Sequence, residues 1–227
     1  MTVLPKIQPQ GKSIVVIGDV HGKTETYQKI VHRLLPGQRS IQIGDMGIGF
    51  KGVGLHEMSQ DHKWFRGNHD NPEKCRANSN YLGDFGYLPD DKLFWLAGAF
   101  SIDRVYRVEG VSWWRDEELS IEELGKAVNL YEETKPDYVL SHECPSDAAV
   151  FMLQSIASAD GSAAYFNAKR DCANSRTAQA LQLMYGIHQP KEWIFGHYHV
   201  DKTFHLKQDS RTKFTCVAEL SQYVLEL

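Results

Sequence analysis

The chain has 227 residues, 42% of them apolar and 24% charged, with a formal net charge of −4. It is long enough to bury a sizeable core as one domain, and its acidic balance disfavours a protein held on nucleic acid mainly by phosphates. Its longest apolar runs fall far short of a membrane span.

Cys75, Cys144, Cys172 and Cys216 form no C-x-x-C pair and read as reduced thiols rather than a disulfide framework. The first residues, MTVLPKIQPQGK, contain no apolar stretch, so a cytoplasmic protein is expected. Residues 1–12 carry two prolines and no periodicity, a loose lead-in to a single domain spanning 1–227. IVVI (14–17) is the first of several apolar runs of strand length that end in a polar cluster, here GDVHG. Residues 24–35 then place Tyr27, Ile30, Val31, Leu34 and Leu35 at helical spacing before Pro36-Gly37. SIQI (40–43) leads into GDMG, and KWF (63–65) into RGNHD. Asn71-Pro72 has the form of a cap and first residue of a short helix. Residues 93–96 and 105–108 are strand-like.

Further along, Ser120 and Glu123 make an S-x-x-E capping box for a helix over 121–134. DYVL (137–140) leads into SHECP. Residues 146–174, rich in alanine and serine, are the least readable and suit an insertion near a site. A helix over 175–185 follows, then WIF (193–195) leading into GHYHVD. TFHL, KFTCVAEL and YVLEL close the chain as β-hairpins. Strands alternating with helices predict an α/β sandwich with mixed sheets.

The polar residues at the strand ends form a set: Asp19 and His21, Asp45, Asn68 and His69, His142, and His197 and His199. In open α/β sheets, sites gather at the carboxyl ends of strands. Carboxylate and imidazole donors without thiolate suit manganese, iron, zinc, nickel or cobalt, and there are enough of them for two ions. The flanking glycines permit tight turns and close approach to a ligand.

The ordered motifs GDVHG (18–22), GDMG (44–47), GNHD (67–70), SHECP (141–145) and GHYH (196–199) resemble the calcineurin-like metallophosphoesterase superfamily. The resemblance implies a four-layer α/β/β/α sandwich of two mixed sheets with a dinuclear centre on one edge. It also implies that Asp19, His21 and His199 hold one metal, that Asn68, His142 and His197 hold the other, and that Asp45 bridges them. His69 would contact the substrate and help protonate the leaving oxygen, while Asp70 would support its loop. The protein Ser/Thr phosphatase branch carries an acid and an arginine after its second motif. Here Ile48 and Gly49 stand in that stretch, so a broader phosphoesterase is expected. Arg66, Arg104, Arg115 and Arg176 are candidates for binding phosphate.

The expected activity is hydrolysis of a phosphomonoester or phosphodiester of a small, nucleotide-like substrate. Two divalent ions, manganese first among them, would serve as cofactors. A nuclease and a non-catalytic scaffold of the same fold are the alternatives. The sequence names neither the substrate nor the oligomeric state.

Overall fold

Ser13–Ile17 (β1) is buried along its whole length, which places it inside a sandwich rather than on a surface. In the computed structural model, which describes residues 12–55, 58–160, 172–207 and 209–227, its alternate side chains enter two cores. Ile14 and Val16 join the core between two sheets, while Val15 and Ile17 pack with Tyr27 and Val31 of Thr24–His32 (α1).

The first sheet continues through Arg39–Ile43 (β2) and His62–Phe65 (β3), both parallel to β1. Pro72–Arg76 (α2) follows, its first turn capped by the Asn71 side chain. The chain then builds a second sheet from Phe85–Leu88 (β4), Leu93–Leu96 (β5), Tyr138–Ser141 (β6), Glu192–Phe195 (β7), Lys202–Leu206 (β8) and Asp209–Cys216 (β9), in the order β4-β5-β6-β7-β9-β8. β5, β6, β7 and β9 run parallel, and β4 and β8 are antiparallel edges. Gln222–Glu226 (β10) returns to the first sheet and pairs antiparallel with β1. Both sheets are mixed, as the sequence predicts.

The outer layer on the second sheet is made by Ile121–Thr134 (α3), Ser146–Asp160 (α4) and Arg176–Ile187 (α5). Phe94, Leu96, Val139, Trp193 and Phe195 face these helices, while Leu93, Trp95, Leu140 and Ile194 face the first sheet. This alternation yields the α/β/β/α layering.

Several elements differ from the sequence expectation. The first helix ends at His32, three residues early, although Leu34 still packs on the same core. Residues 105–108 form no strand: Arg104–Tyr106 is a single 3-10 turn with Val105, Tyr106 and Val108 exposed. β9 ends at Cys216 rather than continuing to residue 220. β4 goes unread in the sequence because Gly86 interrupts its apolar pattern. A Cβ on Gly86 would lie 2.3 Å from the Trp95 ring, so the glycine gives the indole its place. The lead-in up to residue 11, and residues 161–171 of the possible insertion, lie outside the described residues; the start of that insertion is helix α4.

Candidate active site

Polar loops leaving β1, β2, β3, β6 and β7 meet at one edge of the sandwich. Beside them, and walled also by Ile102, Asp103 and Arg107 after β5, lies a cleft of about 310 Å³. The backbone turns sharply there: His21, Asp45, His197 and His199 all have positive φ, at 48°, 55°, 68° and 57°. Each such residue costs about 1–2 kcal/mol relative to ordinary backbone, so the fold stores strain where these side chains converge. Gly67 supplies the room, since a Cβ there would lie 2.1 Å from Asp45 Oδ1.

Two groups of donors face each other. Asp19, His21 and His199 form one, and Asp45, His142 and His197 the other, each with its donor atoms within 4.8 Å of one another. In the first, His21 Nε2 stands 2.8 Å from His199 Nε2, which is 3.0 Å from Asp19 Oδ2. In the second, His142 Nε2 is 3.3 Å from Asp45 Oδ2 and 3.1 Å from Asn68 Oδ1. Asp45 Oδ2 also lies 3.9 Å from His21 Nε2 and 3.8 Å from His69 Nε2, so it faces both groups.

Hydrogen bonds aim these atoms. His142 Nδ1 donates to the Ile43 carbonyl at 2.9 Å, which turns Nε2 to Asp45 and Asn68. Asn68 Nδ2 donates to Ser101 Oγ at 2.9 Å, turning its oxygen to His142. The His69 and His197 backbone N–H groups donate to Asp45 Oδ1 and Asp19 Oδ1, at 2.8 and 3.2 Å. Asp70 has a different role: it accepts from the backbone of Met46, Gly47, Ile48 and Gly67, tying the β2 and β3 loops together.

The charges are tightly linked. Burial opposes ionisation of Asp19, yet His199, His21 and His142 hold it well below the usual carboxylate range. Burial opposes ionisation of Asp45 too, and His142, His69 and His21 hold it low. Burial disfavours charge on His142, but Asp45 and Asp19 outweigh it and lift the imidazole to about 10. Burial pulls His69 down; Asp45 opposes this and Arg107 adds to it.

Two buried carboxylates of this kind demand compensating positive charge. Asp19 Oδ2 is buried and receives no well-aligned hydrogen bond. Carboxylate, amide oxygen and imidazole are the donor set of divalent transition ions, so the residues fit such a centre.

The four arginines singled out in the sequence stand elsewhere. Arg66 is buried under the site, donating to Asp84 Oδ1 at 2.6 Å and to the Glu117 carbonyl at 2.7 Å. Arg104 lies over the Phe100 ring. Arg115 pairs with Glu109 in solvent. Arg176 donates to the Glu118 carbonyl and lines a separate groove with α3. None of them lines the cleft.

Arg107 and Cys172 line it instead, and Glu143 lies buried behind His197; sequence reasoning passed over all three. Arg107 was hidden in the stretch read as a strand. Cys172 Sγ lies 3.6 Å from His197 Nε2. Glu143 had a signal, being the acid of SHECP. Burial pushes its carboxyl up to about 7, Tyr198 and Cys144 donate to Oε1 at 2.8 Å each, and Oε2 is 3.6 Å from His197 Nε2. Cys144 itself is a packed core residue.

The model of the calcineurin-like phosphoesterases matches residues 12–201. The chain belongs to that family. Among solved structures it is similar to the phosphopantetheinyl hydrolase of Mycobacterium tuberculosis, with 12% identity over 91% of this chain and 89% of that one, and a TM-score of 0.51. It is also similar to an uncharacterized protein of Streptococcus pneumoniae described as a predicted phosphoesterase, with 12% identity over 95% and 82% and a TM-score of 0.38. At 12% identity the likeness to the Mycobacterium tuberculosis hydrolase is one of fold. No curated protein matches the chain. No described helix is long and apolar enough to cross a membrane.

Proposed function

We propose that the protein hydrolyses phosphate esters of a small, nucleotide-like substrate with the help of two divalent cations. The observation that carries this reading is the pair of donor groups with one buried carboxylate, Asp45 Oδ2, within 4 Å of an imidazole of each, 3.3 Å from His142 Nε2 and 3.9 Å from His21 Nε2. Asp19, His21 and His199 would hold one ion, Asn68, His142 and His197 the other, and Asp45 both. Bound there, the pair supplies Lewis acidity, lowering the pKa of water and offsetting phosphoryl charge. The chain does the rest. Asp45 sets the spacing of the two groups, and hydrogen bonds to Ile43 and Ser101 fix the donor atoms that face the cleft. His69, in the cleft wall beside Asp45, delivers a proton towards the leaving oxygen.

The size of the cleft favours a small substrate, being at the lower end of the ~300–1,000 Å³ range of small-molecule pockets. A nuclease would need a cationic track for the strand. The decisive measurement is turnover of p-nitrophenyl mono- and diesters, 2′,3′-cyclic nucleotides and single-stranded RNA with manganese, alongside metal analysis. Two ions per chain and preference for a small ester are expected. RNA cleaved far faster than every small ester would overturn the substrate class, and a metal-loaded but inert protein would overturn catalysis.

A further inference from the structure

We infer that Arg107 receives the phosphoryl group of the substrate, held in readiness by Asp103. The inference rests on the phosphoesterase reading and names a residue that the sequence motifs do not contain. Among the described residues lining the cleft, Arg107 alone carries a permanent positive charge. Its Nη2 donates to Asp103 Oδ2 at 2.6 Å and its Nη1 to the Ser112 carbonyl at 3.2 Å. The Ser112 hydroxyl in turn accepts from the Val108 N–H at 3.1 Å. These bonds fix the guanidinium on a loop whose apolar side chains, Val105, Tyr106, Val108 and Val111, are exposed and so give it little packing support.

The position of the guanidinium is informative. Nη2 lies 3.4 Å from His69 Nε2, and His69 in turn adjoins Asp45. Nε is buried and makes no hydrogen bond. The guanidinium thus stands within hydrogen-bonding reach of His69, at the rim of a centre whose donors would gather cations. An anion in the cleft would answer both the cations and the guanidinium, and Arg offers a phosphate two parallel donors. A merely structural Arg107–Asp103 pair, partly exposed, would contribute little and would have no need to face the cleft.

The test uses the full chain loaded with manganese and inorganic phosphate as probe. Phosphate binding is measured by calorimetry, and phosphate inhibition and KM with p-nitrophenyl phosphate, with metal content recorded for every variant. Arg107→Ala is expected to weaken phosphate binding ~10–100-fold, the range for losing charge-assisted hydrogen bonds, and to raise KM in step with both metals retained. Arg115→Ala, which removes an arginine that is paired in solvent, is expected to change neither quantity.

Phosphate affinity in Arg107→Ala within twofold of the parent overturns the inference. If that variant fails to fold, Arg107→Lys is read the same way: threefold or greater weakening supports the role and an unchanged affinity overturns it. A parent that binds phosphate through Arg107 yet turns over no ester sinks the proposed catalysis and leaves this assignment standing. A metal-loaded parent that binds no phosphate sinks both.

Discussion

Asp45 is the residue on which the proposed centre turns. Its Oδ1 is committed to the His69 N–H, while Oδ2 stands between His142 on one side and His21 and His69 on the other. Asn in its place keeps the shape and removes the charge. Asp45→Asn is therefore expected to lose both ions and all measurable turnover; a variant that still binds two ions and runs at the parent rate would show that the carboxylate bridges nothing. His69 makes the opposite prediction. It offers the cleft a side chain, but the other donors are fixed without it. His69→Ala is expected to keep both ions and lose ~10²–10⁴-fold in kcat, the usual contribution of a proton-transfer group. Metal loss in that variant would move His69 into the donor ring instead.

At the scale of the element, the sequence is most legible where local chemistry and tertiary demand agree. Ser120 accepts from the Glu123 N–H, and Glu123 returns a bond to the Ser120 N–H, as the S-x-x-E spacing foretells. Ser120→Ala is expected to lower stability by ~1 kcal/mol in urea titrations, with turnover unchanged because α3 lies on the outer helical layer. Loss of activity with unchanged stability would instead tie α3 to the site. The motif strands were readable for a similar reason: each is apolar and ends in a polar cluster. Ser146–Asp160 is obscure because half of its buried residues are alanine, Ala148 and Ala149 beside Met152 and Leu153, and alanine marks no face. Residues 105–108 misled in the other direction. Val105, Tyr106 and Val108 have the composition of a strand, but no strand among the described residues pairs with them and all three stay exposed. The same error hid Arg107, whose place in the cleft comes from a 3-10 turn and its Asp103 clamp. Nor could spacing reveal that four of the expected donors sit in left-handed backbone, since only the converged loops impose that.

Across the whole molecule, the cleft rests on contacts that join the two sheets, and Glu117 is one of them. Its carbonyl accepts from Arg66, which follows β3 of the first sheet, and its carboxyl accepts from the Ser101 N–H in the loop after β5 of the second. Burial pushes this carboxyl up to about 7, against 4.5 for an ordinary glutamate, and the Ser101 bonds offset only part of that shift. The folded protein therefore holds a proton here that the unfolded chain gives up near pH 4.5. The contribution of this group to stability falls as pH rises from about 4.5 to 7 and does not return above it. At about 1.4 kcal/mol per pKa unit, the loss reaches at most ~3.5 kcal/mol. Gln keeps the acceptor for Ser101 and cannot ionise. In chelator-treated protein, Glu117→Gln is expected to match the parent near pH 5 and to exceed it by ~1–3 kcal/mol at pH 8, read from urea midpoints at the two pH values. An equal difference at both would mean that Glu117 does not titrate across this window, and that the two sheets are joined beneath the cleft without a pH-sensitive contact.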